Sequence, residues 1–348
     1  MDFRSEIRKI ANGQSPILEI GPSYNPILPK KAGFAVKSVD HANQQDLIEK
    51  YSSYGIDVSK IEPVDYITTD IGSLAAYGIK YKLILASHVI EHTTDIIRFI
   101  NDCSELLDDD GKLLLLVPDK RYCFDLYRPL TTAGAAIDAH LSGRSAHRGA
   151  VFDHYTYFTL RSGAMAWGAN DKGDIEHIHS PEQCLNALND SIKSVEYVDA
   201  HEWVFTPKNF EMVIQDLNTS GMIKLNVEKQ YDSLGYEFFS ILSKNVITKI
   251  TSRSDYLRDI RREELTVSLQ GTSTLDVLGM LAETHPELKL ISLVDEVTIG
   301  ATENQSLTSD NNNRHYHINN VHKRSLWQMI APIRKTKTFL TKILGKST

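Results

Sequence analysis

A glycine and two carboxylates stand where the first predicted strands of this chain end. The apolar run 17–20 leads into Gly21 and includes Glu19, and the run 36–40 ends in Asp40. Glycine lets a backbone pass close to a ligand where a Cβ would collide. A carboxylate about 20 residues later suits the two hydroxyls of a ribose. The spacing therefore predicts a nucleotide-like cofactor at an opening βαβ unit.

The turn lacks the features of a dinucleotide fingerprint. Ser23 occupies the second glycine position of Gly-x-Gly-x-x-Gly, and no third glycine follows nearby. Pro22 and Pro26 remove two N–H donors that a pyrophosphate would need. Glu19 would repel a pyrophosphate but suits an amino group. NAD is therefore the poorer fit, and a cofactor with a cationic end is favoured.

Three further apolar runs follow, and they must position the polar residues of the site. Residues 63–70 predict a third strand ending in Asp70, and residues 81–86 predict a fourth strand that runs into Ser87–His92. Residues 111–118 predict a fifth strand. Runs that are apolar throughout indicate strands buried on both faces. In an open sheet of this kind, ligands bind outside the carboxyl ends of the strands.

This series resembles the ordered motifs of class I S-adenosylmethionine-dependent methyltransferases. The resemblance implies a Rossmann-like α/β fold, with a seven-stranded, mostly parallel sheet and helices on both faces. It implies S-adenosylmethionine as the cofactor, with Glu19 toward the methionine end and Asp70 accepting from the adenine amino group. The cofactor-binding residues implied in this way are Glu19, Gly21, Pro22, Ser23, Asp40, Asp70, Ile71, Ser87 and His88.

The segment 119–205 departs from a minimal methyltransferase and contains six of the thirteen histidines. We interpret it as a substrate lid inserted after the fifth strand, over the edge where ligands bind. Ser180 and Thr206, each followed by proline, are typical helix starts. The remaining elements are predicted as helices over 133–141, 181–190 and 207–219, and as closing strands over 223–229 and 236–242.

The segments 21–26, 117–122 and 199–207 resemble a bacterial methyltransferase subgroup associated with surface-polysaccharide (O-antigen type) biosynthesis. This resemblance implies a hydroxyl of a bacterial glycan as the acceptor. The acceptor is a terminal or acidic sugar in this interpretation. Lys120, Arg121 and Arg128 would suit a carboxylate or phosphate on it, as in a 2-keto-octulosonic acid or a phosphorylated carrier; the alternative is that they form a solvated rim. Trp203 stands where a second histidine beside His201 is expected. The candidate substrate-binding residues are Asp119, Lys120, Arg121, Tyr122, Arg128 and Trp203.

Methylation of a hydroxyl needs a base, and histidine suits this because its pKa is close to working pH. The candidates are His88, His154 and His201, with Asp153 or Asp199 available to orient an imidazole. The alternative is that these histidines make structural hydrogen bonds in the lid.

A metal site is not predicted. The pair His177 and His179 hints at one, but paired carboxylates with matching spacing are not evident. A metal-free mechanism is therefore favoured.

Composition is consistent with an intracellular enzyme. Three cysteines among 348 residues have no metal-like spacing and no disulfide pattern. The N-terminal residues 1–12 lack the apolar core of a signal peptide, and no run approaches the ~18 apolar residues of a membrane span. We expect a cytoplasmic protein.

Charge is distributed unevenly along the chain. Residues 314–348 contain eight Lys and Arg and no acid, while the whole chain carries −7, so the remaining residues 1–313 are strongly acidic. This acidic body argues against nucleic acid as a substrate.

The chain is predicted to divide into a methyltransferase domain over 1–244, a small helical appendage over 245–300, a flexible linker over 301–322 and a basic tail over 323–348. The tail predicts amphipathic helices broken at Pro332. Such a helix suits an anionic membrane surface, a partner such as a glycosyltransferase, or the acidic body itself. Lipid-linked glycan acceptors at the inner face of the cytoplasmic membrane would agree with the first option.

Two other functions stay open on the sequence alone. One is a small-molecule or lipid-quinone methyltransferase. The other is a non-catalytic adaptor that keeps the cofactor fold, although the presence of Glu19, Gly21, Asp40 and Asp70 argues against it.

Overall fold

The computed structural model describes residues 2–194, 197–246 and 251–268, and its centre is a seven-stranded sheet. The strand order is β3-β2-β1-β4-β5-β9-β8, and β9 alone runs in the direction opposite to the other six strands. The strands are β1 (Ile17–Ile20), β2 (Val36–Asp40), β3 (Tyr66–Ile67), β4 (Tyr81–Ser87), β5 (Leu107–Pro118), β8 (Asn226–Leu234) and β9 (Glu237–Ser243). A separate hairpin pairs β6 (Thr159–Arg161) with β7 (Ile175–His177). The predicted Rossmann-like, mostly parallel sheet is confirmed.

The helices lie between these strands and in the insertion. They are α1 (Phe3–Ala11), α2 (Gln44–Ser53), α3 (Ile96–Leu106), α4 (Ala133–Leu141), α5 (Arg148–Tyr157), α6 (Pro181–Lys193), α7 (Pro207–Thr219) and α8 (Arg253–Ser268). The predicted bounds of α4 and α7 are confirmed, and α6 runs to Lys193 rather than 190. Ser180 begins α6 with a capping box to Gln183. Thr206 precedes α7, but its side chain makes no capping hydrogen bond.

Strand bounds differ most from prediction at the two edges of the sheet. The third strand was expected over 63–70 but pairs only at Tyr66–Ile67, because β3 has a neighbour on one side alone. The closing strands begin and end later than predicted, with Gly235 at φ +69° in the turn between them. Half-exposed edge strands have a weaker apolar pattern than central ones.

Both faces of the sheet are buried, as the apolar runs predict. Along β4, Ile84 packs with α3 and α7 on one face, and the neighbouring Leu85 faces the cluster that holds α1. Alternate side chains of a strand point to opposite faces. Central strands covered by helices on both sides must therefore be apolar at every position. This is why the sequence predicts β4 and β5.

Residues 119–205 leave the sheet at the end of β5 and return beside it. Asp119 forms a parallel bridge with Phe205, and the Lys120 amide donates to the Phe205 carbonyl at 2.9 Å. The start of the insertion is thus tied to its end at the carboxyl edge of the sheet.

Of the predicted C-terminal segments, only part of the first is described. The helix α8 lies within the predicted appendage and contacts α7, where Arg253 pairs with Asp216 at 2.6 Å. The linker (301–322) and the basic tail (323–348) lie outside the described residues. Among the helices that the structure describes, none combines the length and apolarity needed to cross a membrane.

Candidate functional site

The turn after β1 lies directly against the turn after β4. Gly21 has a φ of +64°, and its amide donates to the Val39 carbonyl at 2.8 Å. A Cβ at Gly21 would lie 3.0 Å from Val89 Cγ2. Glycine is therefore required here both by its backbone conformation and by the close approach of the second turn.

The Glu19 side chain stabilises the loop that follows this turn. Its buried carboxylate accepts from the amides of Ile27 and Leu28 at 2.7 and 3.2 Å. Burial raises the pKa of Glu19 to about 6 despite these two hydrogen bonds. The observed contacts of Glu19 hold the loop, and its predicted contact with the methionine end of a cofactor stays a prediction.

Asp40 ends β2 beside the same turn. One of its oxygens accepts from the Ser23 amide at 3.0 Å, and the other lies 2.6 Å from His41 Nδ1. Ser23 has a φ of +47°, so the turn carries a second left-handed residue. The structure therefore joins Ser23 to the carboxylate predicted to bind the ribose.

The other predicted cofactor residues occupy the ends of neighbouring strands. Asp70 follows β3, is exposed and pairs with Arg98 at 2.9 Å, while Ile71 is buried in the core. Ser87 is the last residue of β4, which pairs with β1. Pro22 lies in the turn after β1. The predicted cofactor residues are thus brought together along the carboxyl ends of β1–β4.

A second group of polar side chains surrounds the turn after β4, and we call it the carboxylate–histidine cluster. Its members come from the β4 turn, from the start of the insertion and from its end. They are His88, Glu91, His92, Asp125, Asp199 and His201.

His88 is held as an imidazolium. Its Nε2 lies 2.7 Å from Glu237 Oε2, and its Nδ1 lies 3.4 Å from Glu91 Oε1. Burial opposes the charge, but these two carboxylates outweigh it and raise the pKa of His88 to about 10. A group that is already protonated at neutral pH does not accept a proton. The structure thus argues against His88 as the base.

His154 is also a poor candidate for the base, but for the opposite reason: its pKa is too low. Its ring packs against Phe124 and Phe158, and its Nδ1 has no hydrogen-bond partner. Burial lowers the pKa of His154 to about 3, so it stays neutral and takes up a proton poorly. The contacts of His154 are those of a packing residue.

His201 has the environment of a base. Its Nδ1 lies 2.5 Å from Asp125 Oδ2, and Arg128 donates to the His201 carbonyl at 2.6 Å. Burial would raise the pKa of Asp125, but His201 and then Arg128 hold it well below its usual range. The orienting carboxylate is therefore Asp125, whereas Asp153 or Asp199 was expected. With Nδ1 engaged, Nε2 of His201 remains for chemistry.

Asp199 instead accompanies His92, a residue that the sequence analysis did not select. The Nδ1 of His92 lies 2.7 Å from Asp199 Oδ1, an ion-pair distance without the alignment of a hydrogen bond. Burial opposes the charge of His92, but Asp199 and Glu91 raise its pKa to about 9. Glu91 is completely buried, and its Oε1 lies 3.8 Å from His92 Nε2. The Glu91-His92 dipeptide after a strand end was the one sequence signal for this part of the cluster.

The predicted substrate-binding residues make contacts within the protein, and their role toward an acceptor stays a prediction. Arg121 makes a bidentate pair with the fully buried Asp119, which also accepts from Ser233 at 2.5 Å. Arg128 is directed to Asp125 and His201, and Trp203 donates to the Thr93 carbonyl at 2.7 Å. Lys120 and Tyr122 are buried as well. The arginines therefore neutralise the protein's own carboxylates.

The pair His177 and His179 does not form a ligand set. His177 stacks on Tyr127, whereas His179 packs on Tyr155 and Phe158.

The comparisons with known proteins agree with this geometry. Residues 2–170 match the model of a family described as "Methyltransferase domain". The match covers just under half of the chain and supports a methyltransferase domain over these residues. The match includes the turns after β1 and β4 and reaches Asp125, but ends before His201.

Similar solved structures include other methyltransferases. The CcbJ methyltransferase from Streptomyces caelestis is 12% identical, covers 70% of this chain and 89% of its own, and has a TM-score of 0.39. A methyltransferase from Clostridium acetobutylicum is also 12% identical, with 70% and 90% covered and a TM-score of 0.36. Both scores are low, and the fold rests on the strand order given above. No curated protein matches the chain.

Proposed function

We propose that this methyltransferase transfers the methyl group of S-adenosylmethionine to a hydroxyl of a bacterial surface glycan. The observation that carries the proposal is His201, whose Nδ1 is held by Asp125 and whose segment is bound to the turn after β4. A hydroxyl is a weak nucleophile and needs such a base, whereas an apolar pocket alone would not activate it.

The chemical step uses groups at one edge of the sheet. The acceptor oxygen attacks the sulfonium methyl in line, its proton passes to Nε2 of His201, and S-adenosylhomocysteine leaves. Asp125 stabilises the imidazolium that forms, as a carboxylate does beside a histidine base. Arg128 holds Asp125 and His201 in place, because it donates to the Asp125 carboxylate and to the His201 carbonyl.

The acceptor is proposed to be a neutral sugar. The support for a sugar is the resemblance of segments 21–26, 117–122 and 199–207 to enzymes of surface-polysaccharide biosynthesis. The support for neutrality is the pairing of Arg121 and Arg128 with buried aspartates. With those cations neutralised, an acidic sugar such as a 2-keto-octulosonic acid loses the partners that suggested it.

The test is a panel of acceptors with release of S-adenosylhomocysteine as the readout. The panel contains p-nitrophenyl glycosides of neutral hexoses and 6-deoxyhexoses, a 2-keto-octulosonic acid glycoside and a catechol as a quinone-like acceptor. We expect methylation of a neutral glycoside. His201→Asn should lower its turnover by about 10²–10⁴-fold, whereas the matched control His140→Asn, which removes a histidine paired with Asp95, should not.

Two results would overturn the proposal. Methylation of the catechol alone, or of no acceptor by protein that binds S-adenosylmethionine, would exclude the sugar. Full turnover by His201→Asn would exclude His201.

A further inference from the structure

Glu91 is a buried carboxylate that the protein itself leaves without a hydrogen bond. Its side chain is fully buried, and neither of its oxygens has a hydrogen-bond partner. The nearest charged neighbours of Oε1 are His88 Nδ1 at 3.4 Å and His92 Nε2 at 3.8 Å. Burying an ion without hydrogen bonds is costly, and buried charges are therefore usually paired or bound to metals.

Two imidazoles converge on this carboxylate, and each has a carboxylate behind it. His201 Nδ1 lies 2.5 Å from Asp125, and His92 Nδ1 lies 2.7 Å from Asp199. Histidines that bind metals usually direct their second ring nitrogen to a carboxylate or carbonyl, which fixes the tautomer and the ring orientation. Here His201 has this arrangement, and His92 has a carboxylate at ion-pair distance from Nδ1 while its Nε2 lies 3.8 Å from Glu91 Oε1.

The three side chains come from segments that are joined by backbone hydrogen bonds. The Glu91 carbonyl accepts from the Glu202 amide at 2.7 Å and from the Trp203 amide at 3.1 Å. The β4 turn and the end of the insertion thus hold each other in place, although more than 100 residues separate them. Donor atoms of Glu91, His92 and His201 all lie within 4.8 Å of one another.

We infer that Glu91, His92 and His201 form a binding site for a divalent transition-metal ion. Two imidazole nitrogens and one carboxylate oxygen suit zinc, cobalt, iron or manganese, whereas magnesium and calcium prefer oxygen ligands. Metal–ligand distances are about 2.0–2.2 Å, so donor atoms this close can meet one ion by small side-chain rotations. From the sequence alone a metal-free mechanism is favoured, because paired carboxylates with matching spacing are not evident.

This inference rests on the proposed function only for what the ion does. Three protein ligands leave coordination positions open, and two neighbouring hydroxyls of a sugar suit such positions. A bound hydroxyl becomes more acidic, so its proton can pass to solvent water as the oxygen attacks the methyl. In this state His201 holds the ion instead of taking the proton itself.

The experiment is a titration of the full-length, chelator-treated protein with Co²⁺, read by its visible absorption. We expect about one equivalent to bind and Zn²⁺, but not Mg²⁺, to displace it. Glu91→Gln and His201→Asn should each weaken Co²⁺ binding more than 100-fold. Asp125→Asn, which changes only the carboxylate behind His201, should weaken it 10–100-fold.

The matched control is His140→Asn, since His140 is also paired with an aspartate but lies outside the cluster. It should bind Co²⁺ like the wild type. Circular dichroism and S-adenosylmethionine binding show whether each variant is folded.

Absence of Co²⁺ binding, or equal binding by wild type and both ligand variants, would overturn the inference. If metal-free protein then methylated a glycoside, the proposed function would stand with His201 as the base. If S-adenosylmethionine failed to bind, the proposed function would fail whatever the titration gave.

Discussion

The cofactor turn and the carboxylate–histidine cluster meet at one edge of the sheet, but they are held by different kinds of contact. Around Gly21, most hydrogen bonds come from residues within about 20 positions, such as Ile27 to Glu19 and Ser23 to Asp40. The cluster depends on residues far apart in sequence. His201 pairs with Asp125 across 76 positions, and His88 pairs with Glu237 across 149.

The two regions are expected to have different tasks: the cofactor turn binds S-adenosylmethionine, and the cluster acts on the acceptor. A local turn forms with the opening strands, so it can be kept while the acceptor side changes. The cluster exists only when the insertion has folded back on the sheet. Substitutions in the two regions are therefore expected to have different signatures, and the substitution with the largest expected loss of stability comes first.

The largest effect is expected in the framework below the cluster. Asp119→Ala removes the carboxylate that pairs with the buried Arg121 guanidinium and that accepts from Ser233. Removing one partner of a buried ion pair costs about 3–5 kcal/mol. The free energy of unfolding should fall by this amount in urea titrations. The control Glu49→Ala, an exposed carboxylate on α2, should change it by about 0.5 kcal/mol or less. An Asp119→Ala protein as stable as the control would mean that the pair is not part of the framework.

The second effect distinguishes strain from ligand contact at the cofactor turn. Gly21→Ala and Gly33→Ala both place a Cβ on a backbone with positive φ, which costs about 1–2 kcal/mol. Only the Cβ at Gly21 meets Val89; that at Gly33 meets nothing within 4 Å. Gly21→Ala should lose at least as much stability as Gly33→Ala, and calorimetry should show S-adenosylmethionine binding about tenfold weaker for Gly21→Ala alone. Equal affinity in the two variants would show that the turn does not touch the cofactor.

The third effect is a pH dependence from the cluster. The pKa of His88 is raised to about 10 in the folded protein, above its ordinary value of 6.5. The folded state thus binds more protons than the unfolded state between these values, so this stabilisation is complete below about pH 6.5 and is lost as the pH rises toward 10. Urea unfolding at pH 7 and pH 9.5 should show a smaller loss of stability for His88→Asn than for the wild type. Identical pH dependence in both proteins would contradict the paired imidazolium.

The sequence predicted the elements whose cause is local. The central strands are apolar at every position because both faces are covered, and α4 and α7 have clear starts. Gly21 and Asp40 were found because their spacing follows from one βαβ unit. These features need no knowledge of distant residues.

The acceptor side was predicted less well, for a physical reason. Arg121 and Arg128 were taken as acceptor-binding cations, but which carboxylate a cation meets depends on the fold. Asp119 and Asp125 neutralise them internally. Likewise, His88, His154 and His201 are the same residue type, and only their surroundings separate an imidazolium, a packing residue and a base.

The most direct test of this division is calorimetric binding of S-adenosylmethionine to the wild type and to His201→Asn. The described contacts of the His201 side chain are with Asp125, His92, Phe124 and His154, which lie outside the cofactor turn. We therefore predict the same dissociation constant within about twofold for the two proteins. The absence of binding by the wild type, or the loss of binding in His201→Asn that remains folded, would contradict the account.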